Sequence, residues 1–151
     1  IYVLVVEMIS NLHKFQRREY YRFNCVVDMK AREMTGEESD AFARGLAHQV
    51  SEKDMARGVI VDISGGGTRF VSRQKFHENS IILMRFNLPI MEIDRPFLLA
   101  ARVIHSGEIE NRTNEYENRV KFEFIDTATR EEIIKYIFDE ERKIRKSGKG
   151  R

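Results

Sequence analysis

Alternating apolar and polar residues dominate the chain from residue 22 to residue 125, and this pattern predicts β-strands. The clearest run is Arg22 to Lys30, in which every second residue is apolar, the period of a half-buried strand. Similar runs occur at Gly58–Ile63, Thr68–Ser72, Ile81–Leu88, Phe97–His105 and Arg119–Ile125. The turn residues Pro89 and Asp94 to Pro96 separate the run that ends at Leu88 from the run that begins at Phe97. The aromatic residues at strand positions are expected to pack in the core, although one could line a nucleobase site; they are Phe70, Phe86, Phe122 and Phe124. Six short strands at fairly even spacing predict a mainly β fold, an antiparallel barrel in which one face of each strand meets water.

The segment from residue 35 to residue 56 interrupts the strand pattern. It begins with Gly36 to Asp40, which has the composition of a loop. Phe42, Leu46 and Val50 follow at near-helical spacing. We therefore expect an insertion over residues 35–56, between the first and second strands, that contains a short helix.

The last part of the chain changes to a helical period, and a helix is predicted over residues 129–145. Thr129 and Glu132 have the spacing of a capping box, and Asp126 is a rival cap. The apolar face of this helix consists of Ile133, Ile134, Ile137 and Phe138, with Ile144 roughly in line. We expect this face to pack on the barrel and residues 147–151 to form a frayed tail.

The chain opens with Ile1 to Val6, a β-like run that does not start with Met. This favours a fragment in which residues 1–10 are the last strand of an upstream domain. Residues 11–21 are polar and basic without periodicity, which indicates a linker. The barrel domain with its helix is then expected over residues 22–146.

Composition places the chain among globular domains. Of 151 residues, 42% are hydrophobic, and 26 basic against 24 acidic residues give a net charge of +2, which argues against non-specific binding to DNA or anionic membranes. The single cysteine excludes a disulfide framework within the chain and a multi-cysteine metal site. No signal or membrane-spanning pattern occurs, so a cytoplasmic domain is expected. Arginine supplies 17 of the basic residues, and it suits planar recognition of phosphates and bases.

Two local motifs stand out. Arg18 and Arg22 form an Arg-x-x-x-Arg pair just before the first strand, and Asp62, Ser64 and Gly67 form an Asp-x-Ser-x-x-Gly turn. Each motif is weak when taken alone. The arginine pair is by itself most simply a solvated charge at a strand entry, and Asp, Ser and Gly are ordinary turn residues.

Together and in this order, the motifs resemble those of PilZ domains, the bacterial receptors for cyclic di-GMP. The resemblance covers about Gln16 to Lys143 and implies a six-stranded antiparallel barrel with a C-terminal helix. The stretch Gln16 to Phe23 is similar to the junction in YcgR-like flagellar brake proteins, so residues 1–10 would be the remnant of a YcgR-like domain. The chain departs from the family pattern in the 35–56 insertion and near the last strand, where a glycine often precedes Val-x-Phe and this chain has Asn118-Arg119-Val120-Lys121-Phe122.

The resemblance implies a role for each motif residue. Arg18 and Arg22 would contact guanine and phosphate, Asp62 and Ser64 would hydrogen-bond guanine, and Gly67 would shape the turn. These roles agree with the chemistry of the ligand. An arginine fork matches the O6 and N7 acceptors of guanine, a carboxylate accepts from the N–H donors on its other edge, and a hydroxyl can do either.

Arg17 directly precedes the arginine pair. In the family, the residue at this position is associated with ligand stoichiometry, and an arginine resembles members that bind an intercalated dimer of the dinucleotide. We therefore include Arg17 among the expected ligand-binding residues. The alternative is an ordinary linker charge.

No motif points to catalysis, to a cofactor or to a metal. Ser64 lacks the Gly-x-Ser-x-Gly elbow, and neither of the two glycine-rich nucleotide-binding motifs occurs. Cys25 lies on the apolar side of a predicted strand and is expected to be a buried small hydrophobe. His13, His48, His77 and His105 show no metal-ligand spacing.

We therefore expect a binding regulator and not an enzyme. In this hypothesis residues Leu12 to Tyr20 are mobile without ligand and become ordered on cyclic di-GMP, which creates a surface for a flagellar motor or export-apparatus protein. Two alternatives remain. One is a structural or protein-interaction PilZ-like domain that does not bind the dinucleotide, and the other is a small barrel that binds single-stranded nucleic acid.

Overall fold

The computed structural model describes residues 19–149, and β-strands form most of this part of the chain. The strands are β1 (Phe23–Glu33), β2 (Ala56–Ile63), β3 (Gly67–Ser72), β4 (Ile81–Ile90), β5 (Ile93–Glu108) and β6 (Tyr116–Glu123). The helices are α1 (Gly36–Ala43) and α2 (Thr127–Lys149), with a short 3-10 helix at Ala47–Gln49. Within residues 19–149, no helix is long and apolar enough to cross a membrane.

The strands close into an antiparallel barrel in the order β1-β2-β3-β6-β5-β4, which confirms the predicted fold. β1 completes the wall, because it pairs with β2 along one side and with β4 along the other. Inward-facing side chains fill the interior, among them Phe23, Met29, Ile60, Ile63, Phe70, Met84, Phe86, Val103 and Phe122. Closure satisfies the backbone groups of the wall within the sheet itself.

Phe124 is the exception among the aromatic residues predicted for the core. Phe70, Phe86 and Phe122 are buried, whereas Phe124 is 48% exposed. The reason is local, since β6 ends at Glu123 and Phe124 has φ of 57°, a left-handed conformation that breaks the alternation of a strand. The prediction of a core role for Phe124 was therefore wrong.

The segment predicted as an insertion contains a helix, but not where it was expected. Helix α1 begins at Gly36 and ends at Ala43, so Leu46 and Val50, which were expected to continue it, lie beyond its end. Residues Gly36 to Asp40, expected to form a loop, belong to α1. Thr35 explains the difference. Its hydroxyl accepts a hydrogen bond from the backbone N–H of Glu38, whose carboxylate accepts one from the N–H of Thr35, and this capping box starts the helix.

The insertion covers an apolar patch on the outer face of β4 and β5. Phe42 and Val50 from the insertion form a second buried cluster with Leu83 and Ala100 from these strands. Arg32 of β1 secures the segment, because its guanidinium donates to the Glu38 carboxylate at 3.0 Å and to the Ser51 carbonyl at 2.6 Å; the same guanidinium lowers the pKa of Glu38 to about 2. The barrel wall is thus buried on both faces here.

Helix α2 begins two residues before the predicted start, at Thr127. Asp126 is its cap, because the Thr129 N–H donates to Asp126 Oδ1 at 2.7 Å; this hydrogen bond lowers the pKa of the Asp126 carboxyl. Thr129 therefore does not cap the helix as the capping-box spacing suggested. The predicted span 129–145 lies inside the observed helix.

The face that α2 buries differs in part from the predicted face. Ile133, Tyr136 and Ile137 are buried against the barrel, while Phe138 and Ile144 are 52% and 59% exposed. Burial raises the pKa of Tyr136 to about 12. The expectation that the helix packs on the barrel is confirmed, but Phe138 and Ile144 do not take part in that packing.

β4 and β5 extend beyond the barrel as a two-stranded arm joined only by Met91 and Glu92. Pro89 and the stretch Asp94 to Pro96, which were expected to form the turn, lie instead within the strands. Proline is tolerated here because β1 pairs with β4 only as far as Phe86. Beyond that residue the arm has edges on which no neighbouring strand requires an N–H donor.

Asn118 of β6 is fully buried opposite Phe70, in the middle of β3. Its Nδ2 donates to Ser72 Oγ at 2.9 Å and its Oδ1 accepts from Ser106 Oγ at 2.7 Å. Ser106 Oγ also accepts the backbone N–H of Phe76 at 3.2 Å. The amide thus joins three strands and a loop in one satisfied network.

Candidate functional site

A β-bulge in β2 decides which way Asp62 points. Ile60 pairs with Phe70 and Asp62 pairs with Arg69, so β2 has one more residue than β3 across this interval. As a result Ile60 and Ile63 both face the core and are fully buried. Asp62 lies between them on the outer face of the barrel, where its carboxylate can meet a ligand.

The turn after Asp62 is held by its own serine and by β6. The Ser64 N–H donates to the Gly67 carbonyl at 2.9 Å, and the Gly66 N–H donates to Ser64 Oγ at 3.1 Å. The Gly66 carbonyl accepts the Phe122 N–H at 2.9 Å. A Cβ atom on Gly67 would lie 2.0 Å from the Val120 carbonyl oxygen. Only glycine allows the turn to approach β6 this closely.

A cleft of about 710 Å³ opens over this turn on the outer face of β2, β3 and β6. Five basic and two acidic side chains line it, so it is predominantly cationic. The lining residues are Glu19, Tyr20, Arg22, Asn24, Asp62, Ser64, Gly66, Gly67, Thr68, Arg69, Ile104, Arg119, Val120, Lys121 and Arg130. Such a cleft favours an anionic ligand.

Arg69 orients the carboxylate of Asp62. Arg69 Nε donates to Asp62 Oδ2 at 2.8 Å, and the Asp62 side chain is only 14% exposed. An ionised carboxylate has about four lone-pair sites, so this one bond leaves it able to accept hydrogen bonds from a ligand. The pair therefore presents a fixed acceptor beside a fixed cation.

Glu117 separates two arginines that face each other across β3 and β6. Arg69 and Arg119 are directly opposite in the strand register. Glu117 lies 3.6 Å from the Arg69 guanidinium and 3.4 Å from that of Arg119. Like charges at directly opposite positions destabilise a sheet, so the carboxylate offsets the repulsion and keeps both cations at the cleft.

A second bulge brings an apolar surface into the cationic wall. In β5, Val103 pairs with Val120 and His105 pairs with Arg119, which leaves Ile104 as the extra residue. Ile104 is 53% exposed and lines the cleft. A flat, apolar ligand face could therefore pack here beside the charged groups.

The structure brings together the predicted site residues that it describes. Arg22 of the first motif and Asp62, Ser64 and Gly67 of the second all line the same cleft. Arg17 and Arg18 lie outside the described residues. The hypothesised mobile segment ends at Tyr20, which packs against the turn, and the remainder of that segment up to residue 18 is also outside this part of the chain.

Sequence reasoning missed Arg69, Arg119, Lys121 and Arg130. The position of Arg69 could have been predicted from the sequence, because a hairpin that pairs Ile63 with Thr68 must also place Asp62 opposite Arg69. Arg119 and Lys121 alternate with apolar residues of β6 and so had to lie on its outer face. Arg130 had no such signal, since its position depends on how α2 packs.

The other reactive side chains within residues 19–149 lie apart from one another. Cys25 is half-buried, and burial, followed by the nearby Asp62 carboxylate, raises the pKa of its thiol to about 11. His77 and His105 each pair with one glutamate at the surface. Among residues 19–149, no group of three or more His, Cys, Asp or Glu side chains is arranged to hold a metal ion.

Comparison with protein families matches residues 16–139 to the model of the PilZ domain. This match covers most of the chain and both motifs, Arg17 and Arg18 included. Comparison with curated protein sequences finds no match.

Several solved structures have similar folds. The Bacillus subtilis inhibitor of motility MotI/DgrA superposes with a TM-score of 0.65 at 17% identity, over 85% of this chain and 53% of that one. Escherichia coli YcgR in complex with c-di-GMP gives 0.60 at 18% identity, over 89% and 51%. The PilZ domain of YcgR with c-di-GMP gives 0.61 at 15% identity, over 89% and 98%. The chain thus spans about half the length of MotI/DgrA and of whole YcgR.

Proposed function

We propose that this chain, which belongs to the PilZ domain family, is a regulatory receptor for cyclic di-GMP and acts by binding and not by catalysis. The observation that carries the proposal is the meeting of Arg22 with Asp62, Ser64 and Gly67 at one cationic cleft. A further support is that the PilZ domain of YcgR, which has a similar fold, was solved with c-di-GMP.

The chemistry of the cleft fits both parts of the ligand. Arg22 would donate a fork of hydrogen bonds to guanine O6 and N7 or to a phosphate. Asp62, held in place by Arg69, would accept from the guanine N–H donors. Ser64 would contribute its hydroxyl, and Gly67 would keep the turn close to β6 so that the ligand can approach the backbone. Arg18 would add a second fork.

The proposal extends to stoichiometry and output. Arg17 would contact a second molecule of an intercalated dimer, and the exposed Ile104 beside Arg119 offers room for an additional base. Ligand binding would order the residues that precede Tyr20, Arg17 and Arg18 among them, and create a surface for a flagellar motor or export-apparatus protein in the cytoplasm. The relative MotI/DgrA is an inhibitor of motility, which supports a role in motility control.

Titration calorimetry with cyclic di-GMP tests the proposal. We expect Arg22→Ala and Asp62→Ala to weaken binding at least about tenfold, since a bidentate contact contributes about 1–3 kcal/mol. Arg142→Ala is a matched control, because Arg142 pairs with Asp139 on the solvent-exposed side of α2 and does not line the cleft. Binding near two ligands per chain is expected, falling toward one in Arg17→Ala.

The outcomes separate this function from the alternatives. Absence of heat with folded protein would show that the domain does not bind the dinucleotide. Wild-type affinity in both variants would place the ligand elsewhere. A preference for longer oligonucleotides, with affinity that falls steeply as salt rises, would instead indicate a single-stranded nucleic-acid site.

A further inference from the structure

The ring of Tyr20 lies against the glycine turn. A Cβ atom on Gly66 would come within 2.9 Å of Tyr20 Cδ2, and one on Gly65 within 3.0 Å of Tyr20 Cδ1. Cβ atoms in proteins essentially never approach as closely as the first distance, and only rarely as closely as the second. Gly65 and Gly66 therefore leave the space that this ring occupies. Gly67 has a different role, because it allows the turn to approach β6 closely.

Arg130, near the start of α2, holds the ring of Tyr20 against the two glycines. Its guanidinium carbon is 5.2 Å from the centroid of the Tyr20 ring, within the range of a cation–π contact. One of its terminal nitrogens donates to the Tyr20 hydroxyl at 3.0 Å, and its Nε donates to the Gly65 carbonyl at 3.1 Å. One side chain thus connects the linker, the turn and α2.

The next residue adds a second connection to the same helix. The Tyr21 hydroxyl donates to Glu141 Oε1 at 2.5 Å, and this hydrogen bond raises the pKa of the Tyr21 phenol. Glu141 is eleven residues after Arg130, which is about three helical turns, so both contacts lie along one side of α2. Tyr20 and Tyr21 are also the residues just before Arg22, the first motif residue in the cleft.

We infer that Arg130 is a positioning residue for the cyclic di-GMP site and that it couples this site to α2. The inference rests on the proposed function. By fixing Tyr20 before the ligand arrives, Arg130 lowers the conformational entropy that Arg22 must lose on binding. Because coupling is reciprocal, a ligand that holds Arg22 in place also stabilises the contacts of Tyr20 and Tyr21 with α2. The helix is then the element that reports ligand occupancy.

A double-mutant cycle on Arg130 and Tyr20 tests the inference. We expect Arg130→Ala and Tyr20→Ala each to weaken cyclic di-GMP binding about tenfold, and the double variant to weaken it about tenfold as well, because both substitutions remove the same contact. Stoichiometry should stay unchanged. Tyr20→Phe, which keeps the ring and loses the hydroxyl, should lie between these variants and wild type. Glu132→Gln on α2 is the control, since Glu132 pairs with Arg95 outside the cleft.

Hydrogen exchange supplies a second, independent measurement. In the wild type, ligand should slow exchange of α2 amides between residues 130 and 141, and Arg130→Ala should abolish most of this protection. Circular dichroism melting checks that each variant is folded, and Tyr20→Phe provides the test if Arg130→Ala is not.

The results distinguish failure of the inference from failure of the proposed function. A wild-type chain that does not bind the dinucleotide contradicts the function itself. If the wild type binds and Arg130→Ala binds equally well, the function stands and the positioning role is wrong. Additive losses, about a hundredfold in the double variant, would also overturn the positioning role, because they would mean that Arg130 acts on the ligand independently of Tyr20.

Discussion

Replacement of Gly67 by alanine adds one methyl group at the point where the turn meets β6. That methyl carbon would lie 2.0 Å from the Val120 carbonyl oxygen, well short of the 3.4 Å at which ordinary contact begins, and the obstructing atom belongs to the backbone. The start of β3 must therefore move away from β6. This movement would break or weaken two hydrogen bonds, from the Ser64 N–H to the Gly67 carbonyl and from the Phe122 N–H to the Gly66 carbonyl.

These terms give the expected magnitude. Each hydrogen bond contributes about 1 kcal/mol net, and overpacking costs about 1–3 kcal/mol. The free energy of unfolding should fall by about 3–5 kcal/mol, a large part of the roughly 5–15 kcal/mol typical of a domain. For a domain of this size that corresponds to a fall in melting temperature of about 10 °C. Cyclic di-GMP binding should be lost or strongly weakened even well below the melting temperature of the variant, since Asp62 and Ser64 flank the displaced backbone.

Calorimetric melting and ligand titration of the same samples provide the assay. Gly36→Ala is the matched control, because a Cβ atom there meets no other atom within 4 Å and alanine favours a helix. It should melt at or slightly above the wild-type temperature. A Gly67→Ala protein that melts within about 2 °C of wild type and binds normally would refute the steric argument for this turn.

Three further substitutions or reactions test the fold. The pKa of Glu38 lies at about 2, below its ordinary value of 4.5 because Arg32 donates to it, so the stabilisation is present above pH 4.5 and is lost as pH falls toward 2. Glu38→Gln should lower the free energy of unfolding by about 1 kcal/mol at pH 7 in urea titrations, with a smaller difference at pH 3; equal stability at pH 7 would contradict this. The Cys25 thiol, with a pKa of about 11, should react slowly with a disulfide reagent at pH 8 until the protein is unfolded, and rapid reaction of the native protein would argue against its burial. Thr68 Oγ1 is buried without a hydrogen-bond partner among residues 19–149, so Thr68→Val should raise the free energy of unfolding by about 1 kcal/mol, and a loss of stability would point to an unseen partner.

The barrel could be predicted because its strands obey a simple period. Phe23 and Met29 alternate with polar residues and are both buried, and the same holds for Val120 and Phe122. The pattern failed where the backbone leaves that period. Phe124 itself adopts a left-handed conformation just after β6, and neither composition nor residue spacing predicts such a change of φ.

The motif residues could be found from the sequence, but the reason they meet could not. Asp62 reaches the cleft because a bulge in β2 turns it outward, and a bulge depends on how two strands pair. The same is true of Ile104 in β5. The α1 start, by contrast, was readable, because Thr35 and Glu38 have the capping-box spacing that was applied instead to Thr129. A local hydrogen-bonding pattern such as a capping box can be predicted from residues three positions apart, whereas strand register cannot.

The two-sided burial of β4 and β5 has a consequence for anyone who transplants this domain into a fusion or a biosensor. The insertion over residues 35–56 has the length and position of a loop that protein engineers would shorten first. Removing it would expose Leu83, Ala100 and their partly buried apolar neighbours Ile81 and Leu98 on one continuous stretch of sheet. A surface of this kind is a site for self-association. A trimmed domain would therefore keep every residue that lines the cleft and still precipitate, so solubility in this barrel depends on a segment remote from its cleft.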